Sequence, residues 1–322
     1  MTAALLNIRN LTVRFRTEGA SVEAVRGVDL DVGEGEVLGI IGESGSGKTV
    51  TGLAILRLLP GNAEIAAERL DFRGRKLLAL PDEEFRSLRG THLAMVFQNP
   101  AGSFNPAKTI GWHLARIADR ASTHATAGGT VRDAARRLAE VGIPEPERVL
   151  ALYPHQLSGG MLQRALIAMV LLLEPEIIIA DEPTTNLDNI VERQIIALLR
   201  QLRARTRAAI IFITHDMSIA AGLCDRIAVM YAGEIVETGP AAKLFAAPRH
   251  PYTQGLIDTA LQLERRVERL SEIPGEMPSV SGLPQGCVFA PRCHKADEAC
   301  RRAPPAVALV APGHSVRCIH HG

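Results

Sequence analysis

The stretch Ile41-Gly42-Glu43-Ser44-Gly45-Ser46-Gly47-Lys48-Thr49 constrains the fold of this chain more than any other. From Gly42 it fits G-x-x-x-x-G-K-[ST], a loop whose backbone N–H groups cradle phosphates. The apolar run Val37-Leu38-Gly39-Ile40-Ile41 before it reads as a buried strand, and Thr49 through Leu59 carries apolar residues at helical spacing. Glycines let successive N–H groups turn onto one concave surface, and the helix N-terminus adds partial positive charge. Lys48 is placed to reach the outer phosphates of a nucleotide, and the Thr49 hydroxyl to bind Mg²⁺.

The rest of the pattern is α/β. Leu5–Phe15 and Ala24–Val32 read as strands separated by a turn at Thr17–Ser21, and Phe15 is placed to stack on an adenine. Leu70-Asp71-Phe72 reads as a strand, Pro81 to Leu88 as a helix, and Leu93–Phe97 as a strand ending at Gln98. From Ile110 to Leu173 no strand pattern occurs. Helices are expected over Ile110–Ala121, Val131–Val141, Arg148–Tyr153 and Leu162–Leu173, with breaks at Ala125–Gly129 and Gly142-Ile143-Pro144. Strand Ile177–Ala180, helix Ile190–Ala204, strand Ala208–Ile213, a further helix, and strands Arg226–Tyr231 and Glu234–Thr238 then complete the alternation expected of a parallel sheet. Helical stretches at Ala241–Phe245 and from His250 to Leu270 lead into residues 273–322. These hold seven of the 19 prolines and read as an irregular appendage that needs a staple to stay ordered.

Four side-chain groups complete a nucleotide chemistry. Asp181, at the end of an apolar strand, can hold Mg²⁺ through its water shell, and Glu182 is placed to polarise an attacking water. Gln98 can bind both Mg²⁺ and water, and its loop Asn99–Pro106 leads toward the helical stretch. His215, after the strand and Thr214, can contact a γ-phosphate and hold Glu182 and the water in line. Ser158-Gly159-Gly160 offers a hydroxyl and two bare N–H groups at a helix N-terminus, a second anion-binding device. One nucleotide does not need two such devices from one chain. A composite site between two subunits would use both.

Composition narrows the partners. Thirty-six basic against 35 acidic residues leave a formal charge of +1, with no basic stripe to suggest nucleic acid. The start MTAALLNIRN lacks a signal peptide's basic and apolar regions. The longest apolar run, Ala165 to Leu173, falls far short of the ~20 residues of a membrane span. Any membrane role is therefore expected to come through a partner.

Gly42–Thr49, Gln98, Leu157-Ser158-Gly159-Gly160-Met161, Ile177–Glu182, Asn186-Leu187-Asp188 and Thr214-His215-Asp216 occur in the order and spacing of the ATP-binding cassette ATPases, which the chain resembles over about residues 4–240. Phe97-Gln98-Asn99-Pro100, Ala180–Thr185 and His250-Pro251-Tyr252-Thr253 make it look closest to the dipeptide, oligopeptide and nickel importer branch. The resemblance implies a P-loop NTPase cassette at 1–240, with an N-terminal antiparallel β subdomain, a helical signature subdomain at about 100–173, and a C-terminal extension at 241–322. It implies an ATPase using ATP and Mg²⁺ (through Thr49, Gln98 and Asp181) with Glu182, His215 and Gln98 as catalytic residues. Gly42, Glu43, Ser44, Gly45, Ser46, Gly47, Lys48, Thr49, Phe15 and Asp181 would bind ATP, while Leu157–Met161 would act on the ATP of the opposite subunit. Implied partners are two transmembrane permease subunits, a second ATPase (paralogous or identical) and, through the permease, an external substrate-binding protein. The chain would sit at the cytoplasmic face of the inner membrane. Peptide is the expected cargo, nickel or a metallophore the alternative, and a non-transport cassette ATPase the remaining possibility. Asn186 departs from the family's frequent Ala in the loop facing the opposite site.

Cys287, Cys293, Cys300 and Cys318 have the spacing C-x5-C-x6-C-x17-C in the proline-rich tail. Four thiolates from an irregular segment suit an iron–sulfur cluster or Zn²⁺. The resemblance implies a [4Fe–4S] cluster as the staple, with Zn²⁺ the alternative.

Overall fold

The computed structural model describes residues 4–17, 19–122, 131–185, 187–205, 207–265, 273–279 and 282–322. It divides into two compact units, Met1–Ala79 with Ile211–Gly322, and Leu80–Ile210.

The first unit opens with a long hairpin. β1 (Leu6–Thr17) and β2 (Ala20–Val32) pair antiparallel from Leu6 opposite Val32 to Thr17 opposite Ala20. Leu6, Ile8, Leu11 and Val13 are buried. The step from Ile8 to Leu11 is odd, and the pairing register shifts there, around Asn10 at φ 50. The irregularity returns the apolar side chains to one face. β3 (Val37–Ile41) is wholly buried and leads through residues 42–47 into α1 (Lys48–Ile55). The helix stops short of the expected Leu59, since Arg57 turns left-handed at φ 49 and Pro60 cannot continue it. β4 (Ala63–Ala66), β5 (Arg69–Phe72) and β6 (Arg75–Lys76) follow. The sheet order is β2-β1-β5-β6, with β4 also on β1. β4 and β6 are too short to show a period of their own.

The second unit holds α2 (Asp82–Leu88), whose first turn carries Asp82, Glu83 and Glu84 where the helix dipole favours acids. β7 (Leu93–Val96) pairs parallel with β8 (Ile177–Asp181), Leu93 opposite Ile177. Both strands are fully buried, which explains their unbroken apolar sequence. Between them lie α3 (Ile110–Ser122), α4 (Val131–Glu140), α5 (Pro146–Leu150) and α6 (Gly159–Leu173). The turn expected at Ala125–Gly129 lies outside the described residues. α5 starts two residues before the expected Arg148, because Pro146 favours the first helical turn. α7 (Asn189–Arg205) precedes β9 (Ala209–Thr214), which begins in this unit and ends in the first.

Back in the first unit come α8 (Met217–Leu223), β10 (Arg226–Tyr231) and β11 (Glu234–Pro240). β10 pairs parallel with β3 and antiparallel with β11. Ala232 and Gly233, both at positive φ, make the tight hairpin turn. α9 (Ala241–Ala246), α10 (Pro251–Arg265), α11 (Glu298–Arg302), β12 (Ala308–Ala311) and β13 (His314–Val316) follow. The tail is therefore less irregular than its proline content suggests. β13 adds to β11, with Glu237 opposite Val316, and β12 adds to β13. Glu237, 1% exposed, accepts the N–H groups of Arg249 (2.8 Å) and His250 (2.9 Å) and meets His314 Nε2 at 2.8 Å. Strand addition and the buried Glu237 carboxylate thus help to hold the tail.

Candidate functional site

The phosphate-loop residues lie in the first unit. Gly42 has no room for a side chain, since a Cβ there would stand 2.1 Å from the Met230 carbonyl oxygen. Gly47 takes φ 105, and its Cβ would stand 2.6 Å from the Ala24 carbonyl oxygen. Lys48 is 4% exposed, and its ammonium donates to the carbonyls of Gly42 (2.8 Å) and Glu43 (2.9 Å). Ser46 Oγ is buried with no hydrogen-bond partner among the described residues, a polar atom that a phosphate oxygen would satisfy. α1 begins at Lys48, so its first N–H groups lack intrahelical acceptors. This donor set fits a triphosphate. Thr49 is half-buried in the first helical turn, and Ser44 and Gly45 are exposed. Phe15 is half-buried in β1 opposite Val22 and Ala63. His215 is exposed just after β9, and Asp216 caps α8 by accepting the Ile219 N–H at 3.0 Å.

The acidic residues lie in the second unit. Asp181 ends β8 and is 3% exposed. Glu182 takes φ 43, a left-handed conformation that costs a non-glycine residue about 1 kcal/mol or more and tends to persist at functional positions. Its Oε2 accepts from Gln98 Nε2 (3.1 Å) and Thr185 Oγ1 (2.8 Å). In the sequence Thr185 carries only the family resemblance, as the end of the Ala180–Thr185 run, and nothing there marks it as a partner of Glu182. Another residue missed there is His113, 7% exposed. Its Nε2 accepts the Asn105 N–H at 2.8 Å, which leaves Nδ1 to donate to the Thr109 carbonyl at 2.8 Å. His113 thereby ties the loop after Gln98 to α3. A single histidine on a helix gives no local signal of such a role.

Ser158 caps α6, its Oγ accepting the Met161 N–H at 3.3 Å, and Ser158 and Gly159 are exposed while Leu157 is buried. A Cβ on Gly160 would stand 2.7 Å from Val191 Cγ1, whereas one on Gly159 would meet only Leu187 Cδ2 at 3.9 Å. Asp188 caps α7 by accepting the N–H groups of Ile190 and Val191, each at 3.0 Å. Gly159 and Gly160 therefore lie close to Leu187 and Val191. Asn186 lies outside the described residues.

The expectation of a [4Fe–4S] cluster on Cys287, Cys293, Cys300 and Cys318 is corrected. Among the described residues, the ligand atoms that converge within metal-binding distance are those of Asp297, Cys300 and His320, a mixed set. That set is internally paired, with Asp297 accepting the Cys300 N–H at 2.9 Å and meeting His320 Nε2 at 3.1 Å. Burial pushes the thiols of Cys293 and Cys318 up and that of Cys287 up to about 11. Similar proteins are named as dipeptide transport ATP-binding proteins, names that indicate no cluster.

Residues 25–185 match the ABC transporter family, and residues 236–300 match the C-terminal region of oligopeptide and dipeptide transporters. The chain is 43% identical over 317 residues to the dipeptide transport ATP-binding protein DppD of Escherichia coli (strain K12), covering 98% of this chain and 96% of that one. It is 41% identical over 315 residues to the DppD of Bacillus subtilis (strain 168), covering 98% and 94%. Among solved structures it resembles the dimeric post-hydrolysis state of the ATP-binding cassette MJ0796 bound to ADP and Pi, with a TM-score of 0.62, 27% identity, and coverage of 73% of this chain and 98% of that one. The cbiO1 of Clostridium perfringens, part of the cbiONQ transporter complex, matches with a TM-score of 0.59 and 25% identity over 76% of this chain and 91% of that one.

Proposed function

The chain belongs to the ABC transporter ATPases, and we propose that it is the ATP-hydrolysing subunit of a di- and oligopeptide importer. The observation that carries the ATPase reading is the Glu182 carboxylate, held by Gln98 and Thr185 at the end of a buried strand. Glu182 takes the role of polarising the attacking water, with Gln98 positioning it and His215 contacting the γ-phosphate. Lys48 and the loop N–H groups bind the phosphates, while Thr49, Asp181 and Gln98 hold the Mg²⁺ that accompanies ATP. The exposed Ser158-Gly159 step serves the ATP of a second ATPase subunit, a copy of this chain or a paralogue.

In this reading the cassette is 1–240, its helical subdomain about 100–173, and the extension 241–322. No helix among the described residues is long and apolar enough to cross a membrane. Attachment at the cytoplasmic face of the membrane then runs through two permease subunits, which receive cargo from an external binding protein. The match over 236–300 and the relatives' names support peptide over nickel or metallophore cargo. A strain lacking this chain should lose uptake of labelled di- and oligopeptides and regain it with the wild-type chain but not with Lys48→Ala. Loss of nickel uptake with intact peptide uptake would overturn the peptide reading.

A further inference from the structure

The second residue of the phosphate loop is gripped by the C-terminal extension. The Arg292 guanidinium makes a forked pair with the Glu43 carboxylate, one N–H to Oε2 at 2.9 Å and another to Oε1 at 3.2 Å. Arg292 is itself fixed, since it also donates to the carbonyls of Pro274 (2.8 Å) and Ile273 (3.3 Å) and lies 5.8 Å from the centre of the Tyr231 ring. Its side chain is 6% exposed against 29% for Glu43. The Glu43 N–H, in turn, donates to the hydroxyl of Tyr252 at 2.8 Å. Tyr252 packs edge-on against Tyr231 (4.7 Å) and beside Phe289 (5.4 Å), all three buried. The third polar group of Glu43, its carbonyl, accepts from Lys48. One residue therefore joins the extension to the loop's lysine.

A carboxylate in a loop that binds a triphosphate repels its ligand unless a cation answers it. We propose that Arg292 and Tyr252 are positioning residues for the phosphate loop: through Glu43 they hold its first turn and neutralise the carboxylate, so the extension sets ATP affinity. The proposal rests on reading residues 42–49 as the phosphate loop. It gives the extension a part in the ATPase cycle beyond packing against the sheet.

The test titrates the full-length chain with Mg²⁺ and a non-hydrolysable ATP analogue by calorimetry, with thermal unfolding in parallel. Arg292→Gln should bind about tenfold more weakly, the scale of one uncompensated charge across a partly hydrated site. Adding Glu43→Gln to Arg292→Gln should restore most of that affinity, because the unanswered carboxylate is then gone. A role in merely holding the Pro274 turn would give no such rescue. Tyr252→Phe, which removes only the acceptor of the Glu43 N–H, should weaken binding severalfold while leaving the fold intact, and it decides the matter if Arg292→Gln unfolds. Wild-type affinity in both Arg292→Gln and Tyr252→Phe, or a loss that Glu43→Gln does not relieve, would overturn the proposal. Lys48→Ala serves as the control on its premise. Wild-type binding by that variant would instead remove the phosphate-loop reading.

Discussion

Gln98 Nε2 donates to Glu182 Oε2 at 3.1 Å, joining two residues 84 apart in sequence. The strands behind them account for it. β7 and β8 are parallel neighbours in register, Val96 opposite Ala180, so residues just past their ends emerge side by side. The left-handed turn at Glu182 then sets the carboxylate within reach of both Gln98 and Thr185.

Glu182→Gln should retain ATP binding and lose turnover by about 100-fold or more, since the loss falls on proton removal in the chemical step. ATP trapping by the assembled transporter, alongside steady-state phosphate release, checks this. Turnover near wild type would remove Glu182 from its role.

Gln98→Ala should lower kcat by about tenfold with a smaller effect on KM, the signature of lost positioning rather than lost binding. Thr185→Ala, which removes the other donor to the same oxygen, should act in the same direction. An effect confined to KM would show that these donors serve ground-state binding.

The two signature glycines separate steric from electrostatic effects. Gly160→Asp must displace Val191, so its expected loss of ATPase activity mixes repacking with repulsion. Gly159→Asp has space for its Cβ, with only Leu187 Cδ2 at 3.9 Å, and should keep wild-type stability while losing ATPase activity in the full complex. Unimpaired activity of the Gly159→Asp complex would sink the composite-site reading.

His250, 1% exposed, has its pKa lowered to about 3 by burial, and its Nδ1 accepts the Tyr252 N–H at 3.1 Å. The unfolded chain, with an ordinary histidine near pH 6.5, binds a proton that the folded chain refuses between pH 6.5 and about 3. Stability should therefore fall on acidification through that window, by about 1.4 kcal/mol per pH unit for this one group. Denaturant titrations at pH 7.5 and 5 measure the slope, and His250→Asn should flatten it. An unchanged slope would mean that other groups carry the acid sensitivity.

The sequence by itself determined the strand–loop–helix around Lys48, the buried strands before Asp181 and His215, and the helical stretch between them. Each of these is written in local apolar periodicity and in turn residues with special backbone needs, and the spacing of the motifs was enough for the family. Only the tertiary structure decided what long-range pairing controls. Arg292 and Glu43 are 249 residues apart, and no local pattern marks either as the other's partner. The strand β13 has three residues, too few to show a period, and exists because β11 offers it an edge. The cysteine spacing suggested converging thiolates. Folding instead buried Cys287, Cys300 and Cys318 and grouped Cys300 with Asp297 and His320, because burial and side-chain direction are set by packing rather than by intervals along the chain.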